Sequence, residues 1–319
     1  ARPKSDAERA AETAARGDAA AVSAAPASRA DRGVWDNPIL WREIKTWAYG
    51  RKMLLIRAAY LLLFASSAVG LYLMNQQGAL DRFGASLATL PLFLISLVLI
   101  NAQAVTSITT ERDGRALDLL LVTDLDPAEI IFGKLGGVFF NCKEYVLLPI
   151  VLSGYLWWAE LISLETLIYL GLGLLVMDAF VAMLGVHTGM AYANSRSAIA
   201  TAQGTVFFLF VGVAACMRIM VAFGGSFQVQ LAPFLAFMLG GGVGLYVALG
   251  IRNPSPAITL AALVCPFATF YAITSFLLEY TLGVFLVVAT TYGFATAAML
   301  VPAIYEFDVA TGRSTGPEE

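Results

Sequence analysis

Residues 110–134 read TERDGRALDLLLVTDLDPAEIIFGK, a charged, amphipathic stretch between two long apolar runs. The chain around it is 59% hydrophobic and only 13% charged, with a mean hydropathy of +0.74. An average soluble domain carries about 25% charged residues. A soluble core cannot hide this much apolar surface, so lipid is the solvent for most of the chain. The net charge of −3 is segregated by loop and points to no nucleic-acid partner.

Apolar runs of about twenty residues cover 53–74, 84–107, 133–158, 165–192, 198–220, 229–251, 256–278 and 281–305. They predict an all-α integral membrane protein, a polytopic bundle of about six to eight transmembrane helices. Residues 1–35 are polar and Ala-rich, lack the apolar core of a signal peptide, and read as a flexible cytoplasmic tail or linker. A start at Ala1 also suits the later part of a longer polypeptide. Residues 36–52 read as an interfacial helix and 53–305 as the transmembrane domain, with 108–132 as a polar element inside it. Residues 306–319 read as a second cytoplasmic tail.

Basic residues orient the chain. Eight spans put 1–52, 108–132, 193–197, 252–255 and 306–319 on one side, with Arg42, Lys45, Arg51, Lys52, Arg112, Arg115, Arg196, Arg252 and Arg313. The opposite loops offer essentially Arg82. The positive-inside rule then places both termini in the cytoplasm, with the chain in the cell (inner) membrane. Ser255 and Pro256 mark a helix start, and Tyr155, Trp157 and Trp158 suit an outer interfacial belt.

Two polar elements face the cytoplasm in this reading. In DNPILWREIKTWAYGRK (36–52), Asn37 caps and Pro38 begins a helix. Leu40, Trp41, Ile44, Trp47 and Ala48 form its apolar stripe, with Arg42, Glu43, Lys45, Thr46 and Tyr49 opposite. From Glu111, a second amphipathic helix sets Glu111, Arg115 and Asp118 against Leu117, Leu120 and Leu121, although Leu119 and Val122 break the pattern. After a break at TDLD, Asp126, Pro127 and Glu129 form a capping box that restarts the helix. A connection that only returned the chain to the membrane could be much shorter, so this segment predicts a docking element.

The order E-R-x-G-x-x-L-x-L-L-L-x-T-x-L-x-x-x-E-I-x-x-G-K, from Glu111 to Lys134, resembles the segment after the second span in ABC transporter permeases of the type-2 exporter class. NPILWREI resembles the elbow helix that precedes their first span. The resemblance spans residues 36 to 158. It implies that Glu111, Arg112, Gly114, Leu117, Leu120, Leu121 and Thr123, with Arg115 beside them, form or border a coupling helix seated on an ATPase subunit. Gly133 and Lys134 would mark the start of span three. It further implies a cytoplasmic ABC ATPase that uses ATP-Mg, a second permease half (a copy or a paralogue) and surrounding lipid. The family's usual count is six spans per half, whereas eight are read here.

Ionisable residues within lipid cost about 2.5–3.5 kcal/mol each on insertion scales, so Lys143, Glu144, Asp178, His187 and Arg218 are candidates for a polar path. Arg57 lies one turn inside span one and can snorkel. Lys143 and Glu144 point about 100° apart, and the expected partner of Lys143 is Asp178. Such a pair reads either as a translocation lining or proton relay, or as a structural interhelix ion pair. His187 stands alone among histidines and forms no metal cluster or catalytic triad by itself. Cys142, Cys216 and Cys265 lie in apolar runs and read as buried thiols. Gly-xxx-Gly at 185–189 and 240–244 predicts close packing inside the bundle. No G-x-x-x-x-G-K-[ST], HExxH, CxxC or GxSxG occurs, so the chain reads as no enzyme and binds no cofactor directly. The competing readings are an ion-coupled secondary transporter using Lys143, Glu144 and Asp178, and a membrane scaffold. The substrate is not legible.

Overall fold

Prolines and acidic caps mark where several helices begin, because a first-turn proline loses no hydrogen bond and an acidic side chain receives the free N–H groups. The computed structural model describes residues 37–45, 50–115, 125–250 and 254–310. Ile39 to Glu319 cluster as one unit; of the other, Ala1–Pro38, only residues 37 and 38 are described. Every regular element among the described residues is helical: α1 (Pro38–Lys45), α2 (Gly50–Gln76), α3 (Arg82–Asp113), α4 (Pro127–Asn141), α5 (Lys143–Trp158) and α6 (Leu164–Ala191). Then come α7 (Ser195–Val206), a π-helical turn (Phe207–Gly212), α8 (Val213–Phe223), α9 (Phe227–Leu249), α10 (Pro256–Leu277) and α11 (Thr281–Ala310). The Asp126–Glu129 capping box is present at α4, with the Glu129 carboxylate accepting the Asp126 N–H at 3.3 Å. Pro256 opens α10 as expected, but the Ser255 hydroxyl makes no capping bond there.

The outside of the bundle is apolar. Leu55 and Leu62 on α2 are 74% and 72% exposed, and Phe83 is 76% exposed. Such a surface suits hydrocarbon rather than water. Among the described residues seven helices are long and apolar enough to cross a membrane, α7, the π-helical turn and α8 counting as one, and the chain is a multi-pass membrane protein.

Two expectations change. First, the separate amphipathic helix read from Glu111 does not begin there. Glu111 and Arg112 belong to the last turn of α3, which ends at Asp113 with Gly114 as its C-cap and Arg115 following at φ 54. Hydropathy ends this span near 107 because Gln103, Ser107 and Thr109 are polar. Those side chains are nevertheless buried, and the backbone ladder continues through them. Second, residues 133–158 are not one straight span. They divide into α4 and α5, bent by 55° at Cys142.

The bent pair still traverses the bundle. Midway along α4, Lys134 meets Glu111 in the last turn of α3. At the far end of α5, the Tyr155 hydroxyl receives a bond from Asn75 at the end of α2. Other contacts agree on the two ends. Arg82, opening α3, pairs with Glu279 beyond α10, while Arg112, closing α3, binds the carbonyls that close α6. The Tyr192 hydroxyl donates to the Ala248 carbonyl and so brings the end of α9 to the Arg112 end. These contacts favour a broken span over a re-entrant loop, which gives up to eight passages among the described residues.

Helix α6 is central, packed along α3 and α11; α10 packs on α11, and α9 on α10. From Phe180 to Gly189 every residue of α6 is buried. Gly185 and Gly189 explain the close approach to α3. A Cβ at Gly185 would lie 2.8 Å from both the Asn101 carbonyl oxygen and the Val105 nitrogen. At 240–244 the expectation needs amendment. Gly240 and Gly244 have open space, whereas the intervening Gly241 accommodates the Phe208 ring of the π-helical turn.

Candidate functional site

Helix α1 settles on α4 because α4 carries Gly136 and Gly137. A Cβ at Gly136 would come 2.9 Å from Leu40 Cδ1, and one at Gly137 would come 2.5 Å from Glu43 Cβ. Ile39 and Glu43, one helical turn apart, both face inward as a result. Glu43 therefore lies buried, in contrast to its expected place on the polar face.

Its partner is Lys134, 1% exposed, whose ammonium lies 2.6 Å from Glu43 Oε1 and 2.5 Å from Glu111 Oε1. The Ser107 carbonyl accepts from it at 3.4 Å. The Arg42 guanidinium pairs with Glu111 and lies 3.4 Å from Glu43 Oε1. Two cations and two carboxylates thus interlock α1, the last turn of α3 and the middle of α4, with their formal charges balanced. Burying charge is tolerable only when it is paired and hydrogen-bonded in this way.

Arg112, the next residue of α3, points to the other side. One of its nitrogens donates to the Gly189 carbonyl at 2.7 Å and the Tyr192 carbonyl at 2.5 Å. The other donates to Ser195 Oγ at 3.3 Å, and Ser195 Oγ donates to Asp113 Oδ2 at 2.6 Å. A guanidinium on carbonyls at the C-terminus of α6 also complements that helix's dipole. The last turn of α3 is gripped from both sides, immediately before residues 116–124.

Of the predicted coupling residues, Glu111 lies in this hub, Arg112 binds the end of α6 on the opposite side, Gly114 caps α3, and Arg115 is exposed beside them. Leu117, Leu120, Leu121 and Thr123 lie outside the described residues. Glu43 was missed as a site residue; its only local signal was a four-residue spacing from Ile39.

No family model, curated protein or solved structure matches this chain. The functional reading therefore rests on geometry and on the motif.

The intramembrane candidates separate. The expected Lys143–Asp178 pair is not formed: Lys143 is exposed, its ammonium 4.6 Å from the centre of the Phe140 ring. Glu144 instead lies 3.9 Å from Arg57, whose guanidinium donates to the Asn141 carbonyl at 2.6 Å. Helix α2 thereby stabilises the broken span, since a carbonyl at a helix break needs a new donor in lipid. Asp178 is fully buried on α6. Nε2 of His187, also buried, bonds the Leu249 carbonyl at 3.2 Å, the packed role of an interior histidine. Arg218 is exposed on α8, apart from this group. Among the described residues no cluster of His, Cys, Asp and Glu could hold a metal. The hub offers no nucleophile activated by a base. What it can do is hold α1, the last turn of α3 and α4 together.

Proposed function

We propose that this chain is the membrane-spanning permease subunit of an ATP-driven exporter of the ABC type-2 class. The observation that carries the reading is the hub in which Lys134 and Glu43 are buried and Arg42 and Glu111 half-buried. It ties an interfacial helix to both helices flanking residues 116–124, as a coupling device requires. A separate ATPase subunit binds ATP-Mg and docks on this segment, chiefly through Leu117, Leu120 and Leu121. Closure of the ATPase dimer displaces the segment, and the hub passes the motion to α1, α3 and α4. Arg112 carries it on to α6, the centre of the bundle. A second permease half, a copy or a paralogue, completes the transporter. The excess of Lys and Arg in this chain's loops on one side supports a reading with both termini in the cytoplasm and the chain in the inner membrane.

The test is purification of the tagged chain from its native membrane in mild detergent, followed by identification of bound chains and an ATPase assay. A co-purifying P-loop ATPase whose association is lost on Leu117→Asp, Leu120→Asp and Leu121→Asp together supports the reading. A well-folded chain with no ATPase, and partners indifferent to the triple change, overturns it.

A further inference from the structure

Lys143 is an exposed cation on an apolar surface. It opens α5, and the outward stripe of that helix continues from it through Leu147 and Val151 to Trp158, all exposed. Its ammonium lies over the Phe140 ring. No carboxylate among the described residues pairs with it. Glu144 turns to Arg57 at 3.9 Å, and Asp178 is fully buried on α6. A charge facing hydrocarbon is costly unless it reaches the interface or an opposite charge. Its level in the bundle therefore decides what Lys143 meets.

Two observations put that level near the α1 end of the membrane. Trp158 closes α5 and is 70% exposed, as suits the aromatic belt at one interface. The helix rises about 22 Å between Trp158 and Lys143, which leaves about 8 Å of a hydrocarbon core about 30 Å thick. The four-carbon stem of lysine covers such a gap by snorkelling. The second observation is a contact: Asn141 Nδ2 donates to the Glu43 carbonyl of the interfacial helix α1 at 3.4 Å. Lys143 lies two residues beyond that bond.

The same junction gathers charge of one sign. Lys45, exposed at the end of α1, lies two residues beyond Glu43. Arg57 of α2 donates to the Asn141 carbonyl at 2.6 Å. Glu144 faces Arg57, and Glu43 is committed to Lys134, so three cations stand against one carboxylate. Beside them the surface is apolar, with Leu54 (one turn before Arg57), Phe140 and Leu147 all exposed. Surplus positive charge at headgroup level, bordering an apolar wall, matches a phosphate that carries acyl chains.

We propose that the junction of α1, α2 and the α4–α5 break binds an anionic phospholipid of the adjoining leaflet. Lys143 and Lys45 attract its headgroup, and Phe140, Leu147 and Leu54 border its acyl chains. Arg57 stays on the Asn141 carbonyl and adds its positive field. A basic residue beside an anionic headgroup contributes about fivefold in affinity, so the two lysines together give about thirtyfold. The inference does not depend on the permease reading, because lipid binding is measured without any ATPase.

The experiment is native mass spectrometry of the purified full chain, delipidated in detergent and titrated with dioleoyl phosphatidylglycerol or dioleoyl phosphatidylcholine. The wild type should bind one phosphatidylglycerol about thirtyfold more tightly than phosphatidylcholine. Lys143→Gln should remove about fivefold of that preference, and Lys143→Gln with Lys45→Gln should abolish it. Both side chains are exposed, so these variants should fold; Lys143→Arg should retain the preference, as should Arg218→Gln on α8. Equal affinity for the two lipids in the wild type overturns the proposal, as does a preference that survives the double change. Inorganic phosphate binding as tightly as phosphatidylglycerol also overturns it, because the acyl chains then contribute nothing.

Discussion

Lys134 is the residue on which the hub turns, because its one ammonium serves both carboxylates. Removing one member of a buried ion pair leaves the other charged and unpaired, at a cost of about 3–5 kcal/mol. Lys134→Met should sit near the low end, about 3 kcal/mol, since Arg42 still meets Glu111. Adding Glu43→Gln should recover part of that loss, because it removes the stranded charge. Denaturant unfolding of the single and double variants in micelles measures the coupling; simple additivity would mean the pair is not energetically linked. None of this was readable at Glu43 alone. Its helical position suggested solvent, and its partner lies 91 residues away.

At the level of elements, two contrasts are testable. Gly185→Ala places a methyl against α3 backbone and should cost about 1–3 kcal/mol by overpacking. Gly240→Ala meets open space and should be neutral, or stabilising by up to about 1 kcal/mol through helix propensity. Tm values of the two variants separate the packed glycine pair from the open one, although both read alike as Gly-xxx-Gly. The break at Cys142 depends on Arg57 holding the Asn141 carbonyl. Arg57→Leu should therefore speed hydrogen exchange at the amides of residues 142–146, and unchanged exchange would assign the bend to other contacts. The capping box at Asp126 was legible because its two partners are three residues apart. The bend was not, since hydropathy sums over a window and is blind to a single kink.

For the whole molecule, a reading with eight passages makes a definite prediction about sides. Single cysteines at Gln77, Glu165 and Leu278 should react with an impermeant maleimide from one face of the membrane. Cysteines at Asp113, Asn194 and Pro254 should react from the other, each in a background lacking Cys142, Cys216 and Cys265. If residues 127–158 were re-entrant, Gln77 and Glu165 would label from opposite faces. The test also bears on the proposed function, because the segment offered to an ATPase must share a face with Asp113.

The sequence by itself determined that lipid is the solvent, where the apolar runs lie and where several helices start. These are local quantities: transfer free energy accumulated over about twenty residues, and caps satisfied within one turn. Only the tertiary structure decided that Glu43 turns inward onto Lys134, that the third span is bent at Cys142, and that Asp178 has no basic partner among the described residues. Those outcomes depend on which helices meet and at what rotation. The deciding contacts join residues 69 to 91 apart in the chain, where neither periodicity nor composition carries a signal.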